Sequence, residues 1–351
     1  MKISRQKNVF KEESLLIEIL FGNTKINKKV FKKVDFNKLI FLASSHLMLP
    51  SLYHNLIVKK LDKMIPNDLL CYLKEIYKIN SERNLKLIEE INEIVQVLTK
   101  NKIEYALLKG SANIVNKIYD ELGERMVGDI DILVSKNNGL KTQNILKENG
   151  YENVNNQLIY EIDPKHLPRL SHKKKNFAVE IHTRMVRSKK LYNDLYNNTM
   201  ETKTNLYGYY TLSKLNQFLH NIYNFQINDN GYKKLSYSFR TIYDHNKLIE
   251  KYKINEKWEI NSNKYLDNYF MVLDYLNLNL GKIYISRYGK IDCLRLKLKS
   301  NFKIYYFFDE GLVFVFDYIR RRIKQIKELL TNKAFRNYSI LKIKNFFVGD
   351  S

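Results

Sequence analysis

The run Asp129-Ile130-Asp131-Ile132-Leu133-Val134 constrains the fold more than any other stretch of the chain. Its β-branched, apolar character reads as a strand, and a strand sends side chains two apart to the same face. Asp129 and Asp131 therefore project together while Ile130 and Ile132 enter a core. Two neighbouring carboxylates repel, and burial makes the repulsion worse. A divalent cation explains such a pair most simply, and hard oxygen ligands select Mg²⁺ or Mn²⁺. Upstream, the apolar run Tyr105 to Leu108 breaks into Lys109-Gly110-Ser111, as a buried strand does at a turn. Gly110 lets a ligand approach the main chain closely. Ser111 can cap a helix reaching about Tyr119, whose free N–H groups suit a phosphate.

Downstream, Asn176 to Met185 alternates Phe177, Val179 and Ile181 against Ala178, Glu180 and His182. The alternation predicts a strand with Glu180 and His182 on its polar face. A helix over about 138–149 separates the last two strands, and Gly150 suits its stop. Glu161 to Lys175, with Pro164 and Pro168, reads as a loop or strand pair. It carries His166, Arg169, His172 and Lys173 to Lys175 close in sequence to Glu180; a solvated basic loop is the simpler account, a triphosphate contact the other.

The Lys-Gly-Ser turn before a helix, Asp-x-Asp on one strand and a lone acid on a later strand resemble the nucleotidyltransferases of the polymerase-beta-like superfamily. The closer resemblance is to a bacterial branch of uncharacterised nucleotidyltransferases, carried by Leu108-Lys109-Gly110, Arg125 to Val134 and Val179 to His182. Weaker likeness extends to Ser45-His46, Asn84, Arg240 and Asp244. Seventeen residues separate Ser111 from Asp129, more than the general superfamily pattern has.

The resemblance implies an α+β fold, a small mixed sheet flanked by mostly helical N- and C-terminal regions, with borders near 1–103, 104–200 and 201–351. It further implies a Mg²⁺-dependent (or Mn²⁺-dependent) enzyme that moves a nucleoside monophosphate from a nucleoside triphosphate to a hydroxyl acceptor, in a two-metal mechanism. Asp129, Asp131 and Glu180 would be the catalytic metal ligands, Glu180 also taking the acceptor's proton. Lys109, Gly110, Ser111, Arg125 and His182 would contact substrate or nucleotide. The acceptor stays open among a small molecule, a protein and RNA. Each residue has a plainer rival: Lys109 as an exposed surface cation, Arg125 as an aspartate's partner holding a loop, His182 as an ordinary hydrogen-bonded histidine. Three other functions compete: a toxin-like enzyme modifying tRNA, a non-catalytic nucleotide-binding protein on the same fold, and a glycosyltransferase, which would not need the Gly-Ser turn.

The flanks read as helical. Phe36 to Ile57 is apolar with a break at Pro50, Pro66-Asn67-Asp68 marks a helix start, and Leu85 to Leu98 carries one apolar face with Glu89, Glu90 and Glu93 on a solvated one. His46 reads as a structural histidine. Leu212 to Ile227 and Phe239 to Ile249 have helical spacing. Leu294 to Lys299 alternates like a strand with one basic face, a helix being the alternative, and Ile319 to Leu330 reads as a basic helix. The net charge of +23 suits a polyanion, yet a chain saturated with Lys, Asn, Ile and Tyr also follows from a biased genome. Two cysteines, Cys71 and Cys293, imply no disulfide framework. The N-terminus lacks the apolar core of a signal peptide, and Phe302 to Ile319 is interrupted by Lys303, Asp309, Glu310 and Asp317. Those features point to a cytoplasmic protein without a membrane span.

Overall fold

The structure, a computed structural model, describes residues 11–22, 26, 28–154, 165–196, 199–255, 260, 263–278 and 289–348. Four helices come first: α1 (Lys11–Phe21), α2 (Phe36–Ser45), α3 (Leu49–Val58) and α4 (Asn67–Lys100). The centre of the chain follows as β1 (Tyr105–Leu107), α5 (Lys109–Val115), β2 (Asp129–Val134), α6 (Gly139–Glu148), β3 (Tyr151–Asn153), β4 (Leu170–His172), β5 (Ala178–His182) and α7 (Lys189–Leu195). A hairpin, β6 (Thr204–Leu206) and β7 (Tyr209–Thr211), leads to α8 (Lys214–Tyr223), α9 (Gly231–Lys234), α10 (Phe239–Tyr252) and α11 (Lys264–Tyr275). Three more helices complete the described chain: α12 (Lys290–Asn301), α13 (Lys303–Thr331) and α14 (Lys333–Val348).

The seven strands form one mixed sheet in the order β3-β4-β5-β2-β1-β7-β6. β2 lies antiparallel to β1 and parallel to β5. Its central place follows from composition: Ile130, Ile132, Leu133 and Val134 are all buried, as strands covered on both faces require. The α+β expectation holds, and β6 and β7 extend the sheet beyond residue 200. One hydrophobic cluster runs from Leu15 on α1 to Leu296 on α12.

Pro50 starts α3, where its missing N–H costs nothing, so the chain breaks at 46–48 instead of at the proline itself. His46 caps α2, its ring stacked on Tyr237, a structural role as expected. The start at Pro66 and the apolar face over 85–98 belong to a single 34-residue helix, α4. Its buried stripe mixes Leu73, Leu87, Ile91, Ile94 and Leu98 with the polar Asn80, Asn84 and Glu90. Glu90 corrects the expected solvated face. It is buried, and its carboxylate accepts the backbone N–H groups of Asn176 and Phe177 at the entrance to β5.

The asparagines have a purpose of the same kind. Asn84 donates to the carbonyls of Leu122 at 2.7 Å and Arg125 at 2.8 Å, Asn80 to that of Gly123 at 2.7 Å, and Arg83 to that of Val127 at 2.8 Å. The long connection between α5 and β2 is thus held by one face of α4. Asn84→Ala would strip two carbonyls of their donor in a buried setting. Unfolding in urea should show a loss of about 1–3 kcal/mol. A loss within error would mean that water takes over both bonds.

Two expectations at the C-terminal end change. Leu294 to Lys299 lies inside α12, because Arg295 and Lys299 reach Asp309 from one turn apart on a helix, where a strand would separate them. The basic helix foreseen over 319–330 is the second half of α13, which begins at Lys303. No described helix is long and apolar enough to cross a membrane. Residues 161–164 of the Glu161 to Lys175 segment lie outside the described residues; the remainder includes β4.

Candidate active site

Register brings the acids together. β2 and β5 run parallel with Asp131 opposite Glu180, so both carboxylates leave the same face of the sheet. His182, two residues beyond Glu180, shares that face. Its Nε2 stands 2.8 Å from Asp131 Oδ1 and 3.3 Å from a Glu180 oxygen. One ligand atom from each of Asp131, Glu180 and His182 lies within 4.8 Å of the other two.

A fourth group sits among them. Lys109, the first residue of α5, directs Nζ to Asp131 at 2.5 Å and to Glu180 at 3.8 Å. Its backbone has φ of 50°, the left-handed region that a residue with a Cβ seldom adopts. Such a residue costs on the order of 1 kcal/mol or more, and it persists where the surroundings hold it. Here the turn aims the ammonium at the carboxylates. Lys109 is not the exposed surface cation of the plainer reading.

Charge follows from this contact. Burial alone would raise the Asp131 carboxyl, but the Lys109 charge and the His182 hydrogen bond hold it far below the usual range. Glu180 is lowered by its hydrogen bond from His182, against burial and the Asp131 charge. Burial would lower Lys109, yet Asp131 raises it. Both acids are therefore ionised and the lysine protonated at neutral pH.

The other expected residues are placed differently. Asp129 opens β2 opposite Ala178 and forms an ion pair with Arg169, so the cluster that gathers is Asp131, Glu180 and His182. Arg169 comes from the basic loop, which thus reaches the site's edge. Gly110 packs where an added Cβ would come 3.0 Å from the Val127 methyls, which accounts for the glycine by close packing. Ser111 is third in α5 and fully buried, not its cap. Its hydroxyl donates to the Asp129 carbonyl at 3.1 Å and accepts from the Asp131 N–H at 3.3 Å, fastening α5 to β2. The helix starts earlier than Ser111 because the turn is made at Lys109.

Arg125 takes the structural role weighed for it. It is buried, with Nε and Nη2 on the two Asp244 oxygens at 2.8 and 2.9 Å and Nη1 on the Met126 carbonyl. The burial penalty is outweighed by Asp244, which keeps it charged. Tyr119 also donates to Asp244, at 2.7 Å.

Sequence reasoning passed over Lys165 and gave Arg240 no role beyond a weak likeness. Lys165 and Arg240 are half-buried, and among the described residues neither has a carboxylate within ion-pair distance. Burial lowers both; repulsion by Lys109 adds to it at Lys165 and by Arg125 at Arg240. The backbone of Lys165 accepts from Thr183 and Arg184, just past His182, and the rings of His166 and His182 meet at 5.3 Å. No local pattern marks these residues, because the loop and α10 reach the site only through the fold. A cleft of about 640 Å³ lies elsewhere, along α13.

Residues 32–264 match the model of a family described as an uncharacterised nucleotidyltransferase. Neither the curated proteins nor the solved structures that were compared gave a match.

Proposed function

The chain belongs to this family of uncharacterised nucleotidyltransferases, and on that footing we propose that it moves a nucleoside monophosphate from a nucleoside triphosphate to a hydroxyl acceptor, aided by Mg²⁺ or Mn²⁺. The observation that carries the reading is the pairing of Asp131 with Glu180 on parallel strands, beside the strained turn that delivers Lys109 to both.

The donor set fits a divalent cation: two ionised carboxylates and an imidazole within 4.8 Å, already holding a positive charge in the Lys109 ammonium. Asp131 and Glu180 would hold the ion, with His182 beside them, and Asp129 would join by exchanging its Arg169 partner. When bound, the ion would offset charge on the phosphate oxygens and favour ionisation of the acceptor.

The remaining work falls to the chain. The acceptor oxygen attacks the α-phosphorus, the bond to the bridging oxygen breaks, and pyrophosphate leaves. Glu180, ionised and partly exposed, would receive the acceptor's proton, its lowered pKa being set against that task. Lys109, at the mouth of the turn beside Asp131 and Glu180, would hold the phosphates by its charge. Gly110 and Ser111 are buried, so in this reading they serve by packing α5 against β2 behind Lys109. Lys165 would supply further positive charge beside the two acids, against the polyphosphate.

A non-catalytic nucleotide-binding protein is the second reading, favoured by the cation already on each acid: Lys109 on Asp131, Arg169 on Asp129. One assay separates the two. The protein, Mn²⁺ or Mg²⁺ and a cell extract are incubated with each triphosphate, labelled on the α- or on the γ-phosphorus. Transfer predicts α-label retained on an acceptor and γ-label released as pyrophosphate. Binding of nucleotide without any acceptor labelling would leave the second reading standing.

A further inference from the structure

Helix α13 is turned inside out. Of its 29 residues only one is buried, and it is Asp309. That carboxylate takes Arg295 at 2.6 and 2.9 Å and Lys299 at 3.2 Å. Glu310 pairs with Lys299 and Lys234, and Asp317 with Lys233 at 2.5 Å. Asp309, Glu310 and Asp317 thus face the body of the protein and are paired there. The helix's apolar residues are left exposed, with Leu312, Phe316, Ile319 and Ile323 along the open cleft beside Tyr232 and the rest turned further from the body.

The outward face is continuous. From Ile304 through Phe308, Leu312, Val315 and Ile319 to Leu330, the apolar positions advance by repeating steps of four, four and three residues. Each of those six is between 41% and 86% exposed. Phe307, Phe314 and Phe316 widen the same surface, at 62%, 69% and 68% exposed. A soluble monomer rarely shows so large an apolar patch without a use for it.

Two further observations choose the occupant. The first is charge: residues 320–327, Arg-Arg-Arg-Ile-Lys-Gln-Ile-Lys, hold five cations and no acid, in the same helix as the aromatic face. The second is period. An advance of eleven residues in three turns is close to that of a straight helix, so the stripe runs along the axis without winding left-handed, as the seam of an ordinary two-helix coiled coil must. A straight apolar face with aromatic rings and flanking cations suits a flat, negatively charged, partly apolar surface.

We infer that α13 docks the protein in-plane onto an anionic lipid surface, with its aromatic face in the acyl boundary and Arg320 to Lys327 on the headgroups. The helix lies on the membrane and does not cross it, in keeping with its inward-facing acids. This inference stands apart from the nucleotidyl-transfer reading and needs none of the residues of that site.

The test uses the full-length protein and vesicles of phosphatidylcholine, with or without phosphatidylglycerol, in a flotation assay. Wild type should float with the anionic vesicles, and high salt should weaken the binding. Each cation near a charged surface adds about a factor of five, so Arg320→Gln, Arg321→Gln and Arg322→Gln together should lower partitioning by roughly 100-fold. Val315→Asp with Ile319→Asp should abolish it. All five positions are exposed, so melting temperatures equal to wild type would confirm that the fold is kept. Failure to float with either vesicle overturns the inference. So does binding that ignores the arginines, or a soluble dimer that Val315→Asp and Ile319→Asp dissociate, which would make the face a self-association surface.

Discussion

Asp131→Asn is expected to lower nucleotidyl transfer on the order of 10³-fold, about 4 kcal/mol of activation free energy. The carboxylate pairs its charge with the Lys109 ammonium, accepts from His182 and offers the hard anionic oxygen a divalent cation needs, whereas the amide keeps only a neutral acceptor. Loss of fold is the obvious confounder, since removing one partner leaves Lys109 near Glu180 alone. Asp131→Asn with Lys109→Met removes that stranded charge. The double variant should melt closer to wild type than the single one and remain as inactive. Initial rates with α-labelled nucleotide, beside thermal melts of both proteins, make the comparison. Activity of Asp131→Asn within tenfold of wild type would remove the carboxylate from the mechanism.

The largest stability effect should come from a pair outside the carboxylate cluster. Arg125 and Asp244, 119 residues apart, are both buried and joined by two hydrogen bonds. Arg125→Ala leaves Asp244 with Tyr119 alone, and breaking such a pair costs about 3–5 kcal/mol. Asp244→Ala should cost a similar amount by stranding the guanidinium. Changing both, as Arg125→Met with Asp244→Leu, should cost much less than the sum of the two single losses. Equilibrium unfolding of the four proteins gives the coupling directly. The same series tests the arginine's role in substrate binding: the folded double variant should keep a KM for the nucleotide near that of wild type. A KM raised more than tenfold in a protein of normal stability would return Arg125 to the phosphates.

Both expectations depend on partners that differ in how visible they were. Asp131 and Glu180 stand out in the sequence because alternation within a strand is local: two residues on, a side chain returns to the same face whatever surrounds it. The apolar runs that made β1, β2 and β5, and the helices of the flanks, are legible for the same reason. Asp244, by contrast, lies in a polar insertion on α10, and nothing near it in sequence announces an arginine. Glu90 had the spacing of a solvated helix face, yet the start of β5 folds onto it and uses it as an acceptor. Leu294 to Lys299 alternates like a strand, but alternation over six residues fits a helix too once one face meets Asp309.

By itself the sequence marked the residues whose types suit the proposed chemistry and the segments that became β1, β2 and β5, since those depend on side-chain type and a short period. Tertiary structure decided the membership of the site. Parallel register of β2 with β5 set Asp131 against Glu180 and admitted His182, while Asp129, one pleat earlier, met Arg169 instead. It also turned Lys109 inward and Arg125 away, and it spent the acids of α13 on the protein so that the aromatic face was left outside. The physical reason is that an ion pair is settled by distance in space, and a chain's local pattern contains no measure of what lies across a sheet or behind a helix.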